Sequence, residues 1–157
     1  MKKFLPGLAA FAGVVSMPLS VSHPPIPTVP VAHYRTDTRI EKLHSFFQKF
    51  DCPAVSHVME FLDAADVYDL DWRLLPSISY VESTGGKLAR NNNLFGWDSG
   101  RAQFASISSA IYDVGYRLAY SRLYKHKDLD ALLATYNPDT DYADKVKSVM
   151  RRIAPCE

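Results

Sequence analysis

Glu82 is the residue best placed in this sequence to do acid chemistry. It ends an apolar run of helical spacing within residues 74–97, LLPSISYVESTGGKLARNNNLFGW. Leu75, Ile78 and Ser79 share one helical face with it, because residues three and four apart lie on the same side of a helix. Apolar neighbours desolvate a carboxyl group and raise its pKa, as a general acid requires near neutral pH. The alternative is a solvated glutamate that merely closes a helix.

The residues after Glu82 predict a turn and a loop beside it. Gly85 and Gly86 break the helix, because glycine adopts backbone conformations that other residues avoid. The asparagine-rich stretch NNNLFGW follows and contains two aromatic residues, Phe95 and Trp97. Their rings could stack on a sugar or simply pack in the core. We expect this loop to border a substrate groove.

The order YVES, GG and NNNLFGW resembles the catalytic stretch of lysozyme-like peptidoglycan-cleaving domains. Within that superfamily, Asn-Asn-Leu-Phe-Gly is similar to the bacterial autolysin-type glucosaminidase family, the mannosyl-glycoprotein endo-β-N-acetylglucosaminidase-like domains. The resemblance covers residues 55–153. It implies a lysozyme-like domain with a substrate groove, in which Glu82 is the catalytic acid. It also implies that Asn93, Phe95 and Trp97 bind substrate.

A second segment, ATYNPDTDYADKV, resembles the tyrosine-bearing segment of the same family. By that match Tyr136 is catalytic, while Asp139 and Tyr142 bind substrate. A tyrosine hydroxyl near the acid can hold it in position or stabilise charge on the sugar ring. The match is incomplete, because Thr140 stands where the family has proline, and Ala-x-Tyr-Asn is also similar to lytic transglycosylases. The residues alone leave open that the tyrosines are packing residues and that Asp139 caps a helix.

The resemblance implies an enzyme that cleaves β-1,4 linkages of peptidoglycan glycan strands in the manner of an N-acetylglucosaminidase. Most glycosidases use a second carboxylate, and no second acid here has a comparable motif. Three routes stay open: help from the substrate's N-acetyl group, a water held by Asp98 or Asp139, or attack by the muramyl 6-hydroxyl. The last route defines a lytic transglycosylase, which leaves anhydro-muramic ends. A non-catalytic wall-binding module on the same fold is a further alternative.

Helical periodicity extends along the rest of the chain, and no alternating strand pattern of any length is present. The sequence therefore predicts an all-α domain of five to six helices. Asp71 is a candidate cap for the central helix, and Pro76 kinks that helix unless it begins near Leu75. Ser106 or Ser108 is expected to cap the next helix. The last helix is predicted from about residue 140 to 153.

The start of the chain predicts export. Lys2 and Lys3, a short apolar run and small residues up to Ser22 are typical of a signal peptide over residues 1–22. The alternative is an uncleaved anchor, although the run is shorter than the ~20 residues that span a bilayer. Four prolines in HPPIPTVPV predict an extended linker over residues 23–37, followed by the catalytic domain over residues 38–157. We expect a periplasmic or extracellular protein without stable membrane insertion after processing.

Cys52 and Cys156 are the only cysteines in the sequence. In an exported protein such a pair usually forms a disulfide, and the alternative is two buried free thiols. A bond closing so long a loop would stabilise the fold by roughly 4 kcal/mol on the chain-entropy model.

The remaining composition narrows the expected partners. No HExxH or CxxC spacing is present, so we expect neither a metal site nor a cofactor. The net charge of +1 does not suggest nucleic-acid binding. Peptidoglycan glycan strands are the expected partner, and the protein is expected to be a monomer.

Overall fold

The computed structural model describes residues 36–155, which form six α-helices and one short 3₁₀ segment with no strand among them. The helices are α1 Thr38–Lys49, α2 Val58–Tyr68, α3 Leu74–Ser83, α4 Ile107–Tyr120, α5 Leu129–Tyr136 and α6 Tyr142–Ile153, and the 3₁₀ segment Pro53–His57 precedes α2. The prediction of an all-α domain of five to six helices is confirmed. The predicted signal peptide, nearly all of the linker and Cys156 lie outside the described residues. Among residues 36–155, no helix has the length and apolar character needed to cross a bilayer.

Side-chain caps set the starts of α4 and α5. Ser106 and Ser109 form a reciprocal capping box at α4, so Ser106 is the cap of the two serines considered. The carboxylate of Asp128 accepts a hydrogen bond from the backbone N–H of Ala131 at 2.8 Å and caps α5. Helix α4 therefore begins directly after one of its two predicted caps.

Helix α3 begins where its proline is tolerated. It starts at Leu74, so Pro76 lies in the first turn, where backbone N–H groups have no partner within the helix. Asp71 does not occupy the cap position itself, which belongs to Arg73. Its carboxylate instead accepts a hydrogen bond from the backbone N–H of Arg73 at 2.9 Å and pairs with the Arg73 guanidinium at 2.6 Å. This local ion pair holds the turn that leads into α3.

Helix α3 runs through the core and ends at the candidate site. Seven of its ten residues are buried, and Leu75 and Ile78 have no exposed surface. It packs mainly against α6, while α2 packs against α4. The face of α6 that packs inward is made of buried residues: Tyr142, Val146, Val149, Met150 and Ile153. This packing of the helix against the core fixes the position of Glu82, its penultimate residue.

Cys52 is buried against the turn that ends α3. A Cβ atom added at Gly85 would lie 2.7 Å from Cys52 Cβ and 2.8 Å from its Sγ, so only glycine fits beside the thiol. The guanidinium of Arg152 lies 4.6 Å from the Phe50 ring, which brings the end of α6 close to the residues before Cys52. Cys156 is not among the described residues, so its pairing with Cys52 stays a prediction.

Thiol labelling of exported protein tests that pairing. We expect no labelled cysteine after denaturation without reductant and two labelled cysteines per chain after reduction, because Cys52 and Cys156 are the only thiols available. The reduced sample is the control for labelling efficiency. Two labelled cysteines in the non-reduced sample would contradict the disulfide.

Candidate active site

The Glu82 carboxyl is half-buried at the C-terminal end of α3. Burial raises the pKa of Glu82 above its ordinary value, and an interaction with the Tyr142 hydroxyl acts in the opposite direction. Desolvation is the larger of the two effects, so the net shift is upward. The prediction that burial raises this pKa is confirmed. Such a group retains its proton to higher pH than a solvated glutamate does.

Tyr142 presents a buried hydroxyl to Glu82. It is the first residue of α6, and only 3% of its surface is exposed. Burial and the charge of Glu82 both raise the pKa of Tyr142, so the hydroxyl stays protonated. The contact with Glu82 falls short of standard hydrogen-bond geometry, and the hydroxyl has no other partner among residues 36–155. It is therefore free to donate its proton to the carboxylate.

Tyr136 uses its hydroxyl differently from the role that the resemblance implies. The hydroxyl donates a hydrogen bond to the backbone carbonyl of Phe95 at 2.5 Å. Its ring stacks on Tyr142, with centroids 5.9 Å apart and planes 7° from parallel. Burial, and secondarily the charge of Glu82, raise the pKa of Tyr136. Tyr136 thus lies near the acid, but in this structure it holds the loop over Glu82 instead of contacting the carboxyl directly.

The loop crosses Glu82 at Gly96. A Cβ atom at this glycine would overlap the Oε2 atom of Glu82 and would lie 3.1 Å from its Cδ. The backbone φ of Gly96 is +61°, a conformation that residues with a side chain rarely adopt. Ser83 holds the loop against the end of α3, because its hydroxyl donates a hydrogen bond to the carbonyl oxygen of Leu94 at 2.8 Å. The Gly96 backbone therefore packs directly on the carboxyl, in a space that a side chain at this position would fill.

Two predicted substrate-binding residues have structural roles instead. The Phe95 ring has no exposed surface and packs against Phe61 at 6.4 Å, so it cannot stack on a sugar. Asn93 is 4% exposed, and its amide closes the loop by donating to the Trp97 carbonyl and accepting from the Trp97 N–H, both at 3.0 Å. Of the three loop residues singled out, only Trp97 is partly exposed.

Asp139 lies in the turn before α6. Its Oδ1 accepts a hydrogen bond from the backbone N–H of Asp141 at 3.1 Å, and its Oδ2 lies 3.7 Å from the Lys145 ammonium. These contacts favour the turn-forming interpretation over a catalytic one. Asp98, the other aspartate considered for holding water, pairs with Arg101 at 2.6 Å on an exposed part of the loop.

Several residues around the candidate site are not apparent from the sequence. Trp97 contacts Tyr136 at 5.7 Å, Tyr124 at 6.1 Å and the guanidinium of Arg117 at 5.6 Å. Tyr124 and Arg117 carry no local motif, so nothing in the sequence connects them to the acid. Gly96 and Ser83 could have been identified from the sequence, since both lie inside the motifs around Glu82.

Two surface cavities in the described part of the chain do not include Glu82 in their lining. One of about 530 Å³ lies between α1 and α6, and one of about 650 Å³ lies between α3 and α6; Arg152 borders both. Neither is lined by Glu82 or Trp97. The candidate site is at Glu82, because a half-buried carboxyl with a raised pKa, packed against the Gly96 backbone, is the feature with chemical capacity. Within residues 36–155, no group of three histidine, cysteine or acidic residues could hold a metal ion.

Comparison with protein-family models, with curated proteins and with solved structures finds no match for this chain.

Removing the Tyr142 hydroxyl should raise the pKa of Glu82 further. A hydroxyl that donates to a carboxylate stabilises the charged form, so Tyr142→Phe removes the interaction that lowers this pKa. The pKa can be followed through the side-chain ¹³C shift of Glu82 during a pH titration, without any assay of activity. Tyr136→Phe is the matched control, since its hydroxyl bonds Phe95 and not the acid. A pKa in Tyr142→Phe that is unchanged or lower would contradict the assigned contact.

Proposed function

We propose that this protein is an exported glycosidase that cleaves β-1,4 linkages of peptidoglycan glycan strands, with Glu82 as the general acid. The observation that carries the proposal is the Glu82 carboxyl itself. It is half-buried at the end of a core helix, its pKa is raised, and Gly96 backbone covers one side of it. The resemblance of its flanking motifs to lysozyme-like peptidoglycan-cleaving domains supplies the substrate class.

The surroundings of Glu82 suit proton donation to a glycosidic oxygen. Protonated Glu82 gives its proton to the leaving oxygen while the sugar ring gains positive charge. The carboxylate left behind needs a hydrogen-bond donor in a half-buried place, where an unpaired charge is costly. The Tyr142 hydroxyl, which has no other described partner, can turn to supply that bond. This interaction strengthens as the proton leaves, so it acts on the transition state more than on the bound substrate.

The group that completes the reaction is proposed to come from the substrate. Asp98 is paired with Arg101, and Asp139 is engaged by the Asp141 backbone and by Lys145. Both carboxylates are exposed and committed to local partners, which favours the substrate's N-acetyl group or the muramyl 6-hydroxyl over a second protein acid. The first gives a hydrolase of the N-acetylglucosaminidase type, and the second gives a lytic transglycosylase.

Digestion of purified sacculi followed by mass spectrometry of the products tests the proposal. We expect new glycan ends that are absent from a buffer control. Reducing N-acetylglucosamine ends identify the hydrolase, whereas anhydro-muramic ends identify the transglycosylase. Wild-type protein that binds sacculi but produces no new ends would favour the wall-binding module and would contradict the enzyme.

A further inference from the structure

Arg117 holds a fixed cation beside the aromatic side of the candidate site. Its guanidinium lies 5.6 Å from the Trp97 ring, and its Nε donates to the Asp113 carboxylate at 2.8 Å, one helical turn earlier. These two contacts set the plane of the guanidinium. The side chain is 40% exposed, and its two terminal nitrogens have no hydrogen-bond partner among residues 36–155. The side chain thus holds a planar, oriented guanidinium at a partly exposed position.

A continuous row of rings joins this cation to the acid. Trp97 contacts Tyr136 at 5.7 Å, and Tyr136 stacks on Tyr142 at 5.9 Å. Tyr142 in turn faces Glu82, and Gly96, the neighbour of Trp97 in the chain, packs directly on the Glu82 carboxyl. Arg117 therefore lies on the outer side of the Trp97 ring, and the backbone beside that ring packs on the Glu82 carboxyl.

The chain around Arg117 is locally basic although the whole protein is nearly neutral. Residues 114–127 contain four lysines and arginines and no acidic residue, against a net charge of +1 for the full chain. Tyr124, from the middle of this segment, is the residue that packs on Trp97 at 6.1 Å. Arg122, Lys125 and Lys127 are exposed. The segment therefore adjoins Trp97 through Tyr124, and of its cations only Arg117 is shown in contact with that ring among residues 36–155.

We propose that Arg117 is a specificity residue that binds a substrate carboxylate and so selects acidic peptidoglycan over neutral β-1,4 glycans. The inference rests on the proposed function. A guanidinium fork matches a carboxylate through two parallel hydrogen bonds, which a lysine cannot reproduce. Peptidoglycan offers such carboxylates in two places, on the stem peptides of intact sacculi and on the lactyl group of muramic acid once those peptides are removed. Chitin-like glycans offer none.

The pairing of Arg117 with a substrate carboxylate is tested by removing each of the two charges, first separately and then together. The initial rate of glycan-end formation is measured for wild type and Arg117→Gln on intact sacculi and on sacculi whose carboxylates have been amidated. We expect amidation to slow wild type by about tenfold to a hundredfold, the usual effect of losing charged hydrogen bonds. Arg117→Gln should show that loss already on intact sacculi and no further loss on amidated ones, because the two changes remove the same interaction.

Arg122→Gln is the matched control, since it removes an equal charge from the same basic segment. It should follow wild type on both substrates. Arg117→Lys, which keeps the charge without the fork, should fall between wild type and Arg117→Gln, and melting temperatures establish that each variant folds. Glycan strands stripped of peptides then show which carboxylate Arg117 binds. If Arg117→Gln still slows the reaction on these strands, the carboxylate is that of the lactyl group. If the slowing is lost, the carboxylate is on the stem peptide.

The outcomes separate the two proposals. Equal slowing of wild type and Arg117→Gln on amidation would overturn the role of Arg117 while leaving the glycosidase intact. An effect of Arg122→Gln as large as that of Arg117→Gln would also overturn it, because general charge would then explain the preference. A wild type that forms no glycan ends from any of these substrates would instead overturn the proposed function.

Discussion

Glu82→Gln should reduce cleavage of sacculi below detection while the protein stays folded. The amide has nearly the size of the carboxyl and can still form hydrogen bonds, but it has no proton to give at neutral pH. General acid catalysis contributes roughly 10² to 10⁴ in rate, so its loss is expected to remove all visible clearing in a gel assay. Glu60→Gln is a suitable control, because Glu60 is another part-exposed glutamate that bonds His57 and Ser108 away from the site.

The same substitution makes a prediction about stability. Burial raises the pKa of Glu82 in the folded state, so the folded protein favours the protonated form. That preference stabilises the fold below the ordinary pKa of 4.5 and is lost as pH rises through the higher folded pKa. Glutamine carries no such pH dependence. We therefore expect the melting temperature of Glu82→Gln to equal or exceed that of wild type at pH 7, with the advantage shrinking towards pH 4.

Activity should follow the same titration. Wild-type cleavage is expected to fall as pH rises through the pKa of Glu82, because only the protonated carboxyl can act as an acid. Two results would contradict the role of Glu82. A Glu82→Gln variant that clears sacculi at near wild-type rate would move the chemistry to another group, and a variant that unfolds would make Glu82 a structural residue.

The features that the sequence could predict are those governed by local periodicity. Apolar spacing located the helices, and it placed Leu75 and Ile78 in the core on the same face as Glu82. The half-burial of Glu82 follows from that spacing. Glu82 continues the buried face of α3 at the end of the helix, so the elements that pack on that face also cover part of Glu82. Pro76 indicated where α3 begins for the same local reason, since proline is tolerated in the first turn of a helix but not in its interior.

The features that the sequence could not predict depend on contacts between distant residues. Phe95 and Trp97 are two positions apart in one loop, yet one ring is buried and the other is partly exposed. A loop without periodicity gives no sign of which ring turns inward. The bond from Tyr136 to the Phe95 carbonyl joins residues 41 positions apart, and a resemblance that placed Tyr136 near the acid could not specify its partner.

Gly96→Ala should lower activity by about a hundredfold. Its loss of stability should be little more than the cost of placing alanine at a positive φ. The added methyl group would overlap Oε2 of Glu82, and that atom is the movable end of a side chain. The carboxyl can rotate away cheaply, but a displacement of about 1 Å from its working position is enough for a loss of that size. The stability cost should be roughly 1–2 kcal/mol, set by forcing alanine to a positive φ.

Gly100→Ala provides the matched control within the same loop. Gly100 also has a positive φ, +80°, but a Cβ atom there would meet nothing within 4 Å. The two variants should therefore show similar falls in melting temperature, while only Gly96→Ala loses activity. If both lose activity equally, loop strain and not the displaced carboxyl is responsible. If Gly96→Ala keeps wild-type activity, the close approach of Gly96 to Glu82 is unimportant for the reaction, and the position that the structure gives to the acid is not the one in which it works.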